Sequence, residues 1–222
     1  IGVQGVLLLD GVTFILSSLL LFLVIPIDAK LESKEDISFK LIFKDLFSGI
    51  KYLLKNKKIL LIIILSSIVN FFLAAYNLLL PYSSEMFPNL SDSLYAIFLV
   101  FEAVGGLIGA SLSGYWNKEL SIKKLLLFLG LSGITLAFAP VIYLIFHNPF
   151  ILATVPGAFS YFLSIFNIQF FSLVQREVDN QYIGRIFGII FTIAILFMPI
   201  GSGVFSILLK TTEILNFFIV GI

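Results

Sequence analysis

Glu102 is the residue whose type and setting can do the most chemistry. It lies near the middle of an apolar run, 93–115, that is long enough to span a bilayer. An unpartnered charge at that depth costs of order 3 kcal/mol on insertion scales. A carboxyl kept there carries a proton, balances a cationic ligand, or serves as a structural acid hydrogen-bonded to the next helix. At helical spacing Glu102, Gly106, Gly109 and Ser113 share a face that is small apart from the acid, so another helix can come close around it. Asp10 is a second acid in an apolar run, but only about two turns from its outer start. That depth favours an interfacial acid, reached by water or held by hydroxyls, over a proton- or cation-binding one.

Two polar stripes follow the same spacing. Ser66, Asn70 and Asn77 fall on one face of the run 59–81, and Ser160, Ser164 and Asn167 on one face of 150–174. They read either as the lining of a cavity or as hydrogen bonds between packed helices, at about 0.6 kcal/mol each. Phe71, Phe72, Tyr76, Tyr161, Phe162 and Phe166 would add an aromatic wall for a lipophilic ligand, although with 25 Phe in the chain most rings are core or lipid-facing. The absence of Cys leaves no thiolate nucleophile, disulfide or Cys metal site, and the one His, His147, reads as solvated. No carboxylate or His constellation has catalytic spacing, and no Gly-rich nucleotide loop occurs. The expectation is therefore no catalytic residue, no metal, no cofactor and no enzyme. A net charge of +1 gives no reason to expect nucleic acid as a partner.

The elements that must position these residues are membrane spans. Apolar residues make up 59% of the chain and charged residues 12%, with a mean hydropathy of +1.10, beyond what a soluble domain shows. Runs near 3–27, 59–81, 93–115, 125–146, 150–174 and 186–209 are each long enough to cross, and another begins near Ile214. In lipid the backbone must satisfy its own hydrogen bonds, so runs rich in Phe, Ile and Leu are helices. All but one of the 14 Lys and Arg residues fall between runs on one side. Lys30, Lys34, Lys40, Lys44, Lys51, Lys55, Lys57 and Lys58 follow the first run, Lys118, Lys123 and Lys124 the third, and Arg176 and Arg185 the fifth, whereas Lys210 is alone opposite. Positive charge accumulates on the cytoplasmic side, so the first helix descends from outside to inside and the rest alternate.

Between the first two runs, 37–55 sets Lys40, Lys44, Lys51 and Lys55 on one stripe with Phe39, Ile42, Leu46, Ile50 and Leu53 opposite, an amphipathic helix suited to the inner headgroup region. The charged stretch 28–36 is its linker. Gly105, Gly109 and Ser113 form one row of small residues and Gly106, Ala110 and Gly114 the next. Pro140, Pro156 and Pro199, the last followed by Gly201 and Gly203, interrupt three runs, where they bend helices or act as joints.

This order of elements resembles helices six to twelve of a major facilitator superfamily transporter: an all-α polytopic membrane protein with a long cytoplasmic connection after the first helix. The stretch Leu9-Asp10-Gly11-Val12-Thr13-Phe14-Ile15-Leu16-Ser17-Ser18 is similar to the sixth helix of the drug and siderophore exporter branch, which includes macrolide-efflux proteins and enterobactin exporters. Val174-Gln175-Arg176-Glu177-Val178-Asp179-Asn180-Gln181-Tyr182-Ile183-Gly184-Arg185 is similar to that branch's short loop between helices ten and eleven. Gly114 and the Lys123-Lys124 pair match the loop after helix eight, while position 118 is Lys where the family often carries an acid.

The resemblance implies a domain plan. Residues 1–27 would be the last helix of an amino-terminal half, 28–58 the cytoplasmic linker, and 59–222 the carboxy-terminal six-helix bundle with its last helix cut. The chain begins at Ile1 and ends inside an apolar run, which is read as a fragment whose missing amino-terminal half is a partner. The resemblance further implies a proton-coupled exporter of lipophilic drugs or siderophore-like compounds working by alternating access, with protons, a small-molecule substrate and the lipid bilayer as partners and ATP not used. An importer or uniporter of the same fold and a non-transporting scaffold are the alternatives. In the family the first helix of each three-helix unit lines the central pathway, which is where both polar stripes fall. By the same resemblance Arg176, Glu177, Asp179 and Arg185 would form an inner gate, as against snorkelling interfacial charge. The excess of Lys over Arg and the abundance of Ile, Phe and Asn suggest an AT-rich bacterial genome, and with no targeting sequence visible the cytoplasmic (inner) membrane is the expected location.

Overall fold

The computed structural model describes residues 3–24, 39–115, 121–210 and 212–222. The linker stretch 28–36 and Lys118 lie outside the described residues. Every described element is a helix: α1 (Val3–Val24), α2 (Phe39–Lys55), α3 (Lys57–Leu79), α4 (Ser83–Met86), α5 (Leu94–Tyr115), α6 (Ile122–Ala137), α7 (Ala139–Phe146), α8 (Pro149–Glu177), α9 (Ile183–Leu208) and α10 (Leu215–Gly221), with short 3₁₀ turns at Leu80–Tyr82 and Asn180–Tyr182. Six described stretches are long and apolar enough to cross a membrane: Gln4–Val24, Lys57–Met86, Leu94–Gly114, Ile122–Phe146, Pro149–Glu177 and Asn180–Leu208.

The chain divides into two compact units, Ile1–Leu41 and Ile42–Ile222. In the first, α1 carries Asp10, and Thr13 satisfies its hydroxyl by donating to the Asp10 carbonyl oxygen at 2.7 Å, the local back-bond that makes a hydroxyl tolerable in an apolar helix. In the second unit α5 packs along α8 and α3 along α9, α6 lies against α8, and α10 against α6.

Two apolar cores stabilise this unit. One gathers Tyr76, Met86, Phe87, Phe98, Tyr143 and Phe217, with Phe87 touching Tyr143 at 5.2 Å and Phe217 at 5.5 Å between ring centroids. The Tyr143 hydroxyl donates to the Pro88 carbonyl at 2.9 Å. The other gathers Leu53, Ile59, Leu125, Phe166, Phe170 and Ile186.

Local sequence explains the ends and the breaks. Asn148 caps α8, its side-chain oxygen accepting from the backbone N–H of Phe150 at 2.9 Å and of Ile151 at 3.2 Å, with Pro149 in the first position, where no N–H is needed. His147 closes α7 in the left-handed region, φ 45°. The run expected as one span over 125–146 lies within the single crossing stretch Ile122–Phe146, with a turn at Phe138 between α6 and α7. Pro140 has no N–H for the Leu136 carbonyl and its ring crowds that carbonyl, and beside it the Phe138 N–H is shared between its regular helical partner Ile134 and the Thr135 carbonyl at 3.2 Å each. Pro156 and Pro199 lie inside unbroken helices.

Candidate functional site

Glu102 is half-buried in the first half of α5. The phenol of Tyr76, on α3, donates to Glu102 Oε2 at 3.0 Å. Tyr76 is 2% exposed, its ring against Phe159 of α8 at 4.6 Å and Phe217 of α10 at 6.2 Å. A phenol buried so deeply needs a hydrogen-bond partner, and the carboxyl is the partner it has. The acid is thus tied to a helix other than the one its small face packs on.

That face meets α8. Gly105 lies against the carbonyl of Gly157, and Gly109 against the carbonyl of Tyr161, so closely that a Cβ at either position would overlap backbone. A Cβ on Gly106 would sit 2.9 Å from Ser160 Oγ and 3.4 Å from Ser164 Oγ. Further along, Gln169 Nε2 donates to the Ser113 carbonyl at 3.2 Å and to Ser113 Oγ at 3.1 Å, both residues buried. Contacts at 105, 109 and 113 pair in rising order with 157, 161 and 169. The two helices therefore run in the same direction, as the alternation of spans requires. Gly114 of the second small-residue row has nothing within 4 Å of its Cβ position.

The polar stripes divide by location. Ser160 and Ser164 are half-buried next to Gly106, one turn from Glu102, while Asn167 is exposed. On α3 the Asn70 amide donates to the Ser66 carbonyl at 2.9 Å, and Asn77 is exposed. Among the described residues no hydrogen bond joins the two stripes. A cavity of about 530 Å³ lies between α3, α6, α8 and α10, walled by Val69, Phe72, Tyr76, Leu129, Leu163 and Gly221. Its wall includes neither Glu102 nor any stripe residue, so it is a different place from the polar faces. Asp10 belongs to the other unit.

Where α8 and α9 connect, three of the four charged residues contact α2 or the start of α3. Glu177 pairs with Lys58 at the start of α3. The backbone N–H of Asp179 donates to the Tyr52 hydroxyl at 3.2 Å, and Tyr52 stacks on Tyr182 at 4.4 Å. Arg185 Nη1 donates to Ser48 Oγ at 3.0 Å, with the guanidinium 5.6 Å from the centre of the Tyr182 ring. Arg176 is exposed. The Lys58–Glu177 pair is partly exposed, which limits its worth to about 1 kcal/mol or less. The fit of Gly49 against Ile189 Cδ1, 3.1 Å from a Cβ position, and the burial of Leu53 add packing to it.

Residue patterns within single helices do not reveal three of these contacts. Tyr76 reads in the sequence as one aromatic residue among many rather than as a partner of the acid. Gln169 falls off the Ser160–Ser164–Asn167 stripe, although an amide among apolar residues was itself a signal. The docking of α2 was signalled only by the small pair Ser48-Gly49 in the middle of an amphipathic helix.

A family model described as Major Facilitator Superfamily matches residues 1–202. In comparisons with curated proteins and with solved structures, nothing matches.

Proposed function

Since the chain belongs to the major facilitator superfamily, a family of membrane transporters, we propose that it is part of a proton-coupled exporter of lipophilic compounds in which Glu102 carries the coupling proton. The observation that carries this reading is the Tyr76–Glu102 hydrogen bond between α3 and α5, inside a span, next to the close α5–α8 contact. A carboxylate accepts a charge-assisted bond from the phenol; once protonated, it accepts a weaker neutral one. A proton on Glu102 therefore loosens α3 from α5, and α3 bears one of the two polar stripes. Rocking of this bundle against the other half of the transporter would turn that local change into alternating access.

On this reading the chain supplies helices six to twelve, with 1–27 closing one half, 28–58 linking, and 59–222 forming the other bundle, in a bacterial inner membrane. Ser66, Asn70, Asn77, Ser160, Ser164 and Asn167 line the pathway. Arg176, Glu177, Asp179 and Arg185, three of them engaged with α2 or the start of α3, form the inner gate. The resemblance to the drug and siderophore exporter branch supports export and a lipophilic substrate.

The test is accumulation of a macrolide and of a lipophilic cationic dye in cells expressing the complete gene, with and without an uncoupler. Export appears as lowered accumulation that the uncoupler restores. Glu102→Gln should abolish it while membrane insertion stays normal. Unchanged coupling in that variant would remove Glu102 from the mechanism.

A further inference from the structure

Docking divides the apolar side of α2 into two. Gly49 and Leu53 face the bundle, with Tyr52 beside them, whereas Phe47, Ile50 and Leu54 are left 69%, 43% and 66% exposed. At 100° per residue these three lie within one narrow arc, opposite the docked face. Lys51 and Lys55, both exposed, border that arc on one side, and exposed Lys57 follows at the start of α3. The helix is too charged to span, so its exposed apolar arc is not accounted for as part of a transmembrane surface. An apolar strip bordered by lysines matches the chemistry of a leaflet boundary: acyl chains for the strip and anionic headgroups for the ammonium groups.

We propose that the outward surface of α2 binds anionic phospholipid of the adjoining leaflet, with Phe47, Ile50 and Leu54 seated among the acyl chains and Lys51 and Lys55 on the headgroup phosphates. Charge complementarity selects this occupant. A second protein surface covering the arc would have to bring acidic side chains to two lysines one turn apart, whereas anionic lipid supplies mobile negative charge at any spacing. The docked face ties the helix to Arg185, Asp179 and Tyr182, so the bound headgroups lie about one helix width, ~10 Å, from the connection between α8 and α9.

The test is site-directed quenching in the full-length protein. Leu54→Cys is labelled with bimane, any other Cys being replaced by Ser, and the protein is reconstituted in vesicles. Brominated phosphatidylglycerol or brominated phosphatidylcholine is then introduced at equal mole fraction. Phosphatidylglycerol should quench more strongly, and the preference should shrink as salt is raised. In Lys51→Gln/Lys55→Gln the preference should fall roughly five-fold per lysine, equivalent to about 1 kcal/mol each. Lys51→Arg/Lys55→Arg should keep it, which separates charge from any effect on folding. Equal quenching by the two lipids would overturn charge selection. No quenching by either would show the arc to be covered by protein, from elsewhere in the chain or a second copy, and would overturn the proposal outright.

Discussion

Removing the Tyr76 hydroxyl should cost stability in proportion to the charge on its partner. Tyr76→Phe keeps the ring contacts with Phe159 and Phe217 and deletes only the donor to Glu102 Oε2, 3.0 Å away. Hydrogen bonds between membrane helices average about 0.6 kcal/mol, whereas a bond to a charged group is worth about 1.5–3 kcal/mol. With Glu102 protonated the lower figure applies; with Glu102 ionised the variant also leaves a desolvated carboxylate short of a donor, and the higher one applies. The penalty should therefore rise with pH as Glu102 passes from acid to carboxylate. The assay is a double-mutant cycle of Tyr76→Phe and Glu102→Ala, which removes the acceptor, read as thermal unfolding in detergent across a pH series. Coupling of at least about 0.6 kcal/mol, growing toward high pH, is expected. Coupling near zero at every pH would refute the reasoning, because the hydroxyl and the carboxyl would then not be acting as a pair.

Gly105→Ala should destabilise by about 1–3 kcal/mol, the usual cost of overpacking, because its Cβ would strike the Gly157 carbonyl; Gly114→Ala, with open space around it, should be neutral or gain up to about 1 kcal/mol from helix propensity. Equal unfolding temperatures for the two variants would argue against the α5–α8 contact. Arg185→Ala should loosen α2 from the bundle, seen as faster proteolysis near Ser48, and should impair export if the inner charges form a gate. Normal export in that variant would remove the gate.

The spans were readable from run length, and the acid in the middle of one of them from its cost in lipid. Helical periodicity ranks residues around one axis, so it placed Gly105, Gly109 and Ser113 in a row before any neighbour was known. It carries no information on which helix lies opposite. Hence Tyr76 stood in the sequence as one aromatic residue among many, although it reaches Glu102, and Ser160 with Ser164 gave no sign that they would meet Gly106. The amphipathic pattern of α2 had the same limit. Its apolar arc is wider than the surface that docks, and the division between Leu53 and Leu54 depends on where α9 lies. Pro140 marks a turn inside the span over 125–146 that its hydropathy does not show.

The glycines at 105 and 106 are adjacent yet face different kinds of neighbour, and this sets what genetics can repair. Beyond Gly106 lie two hydroxyl side chains, so a larger residue there has natural second-site suppressors in Ser160→Gly or Ser164→Ala. Beyond Gly105 and Gly109 lie peptide carbonyls, which no substitution on α8 can shrink. Loss of either glycine is a lesion without a compensating partner, and revertants should arise at the altered codon itself.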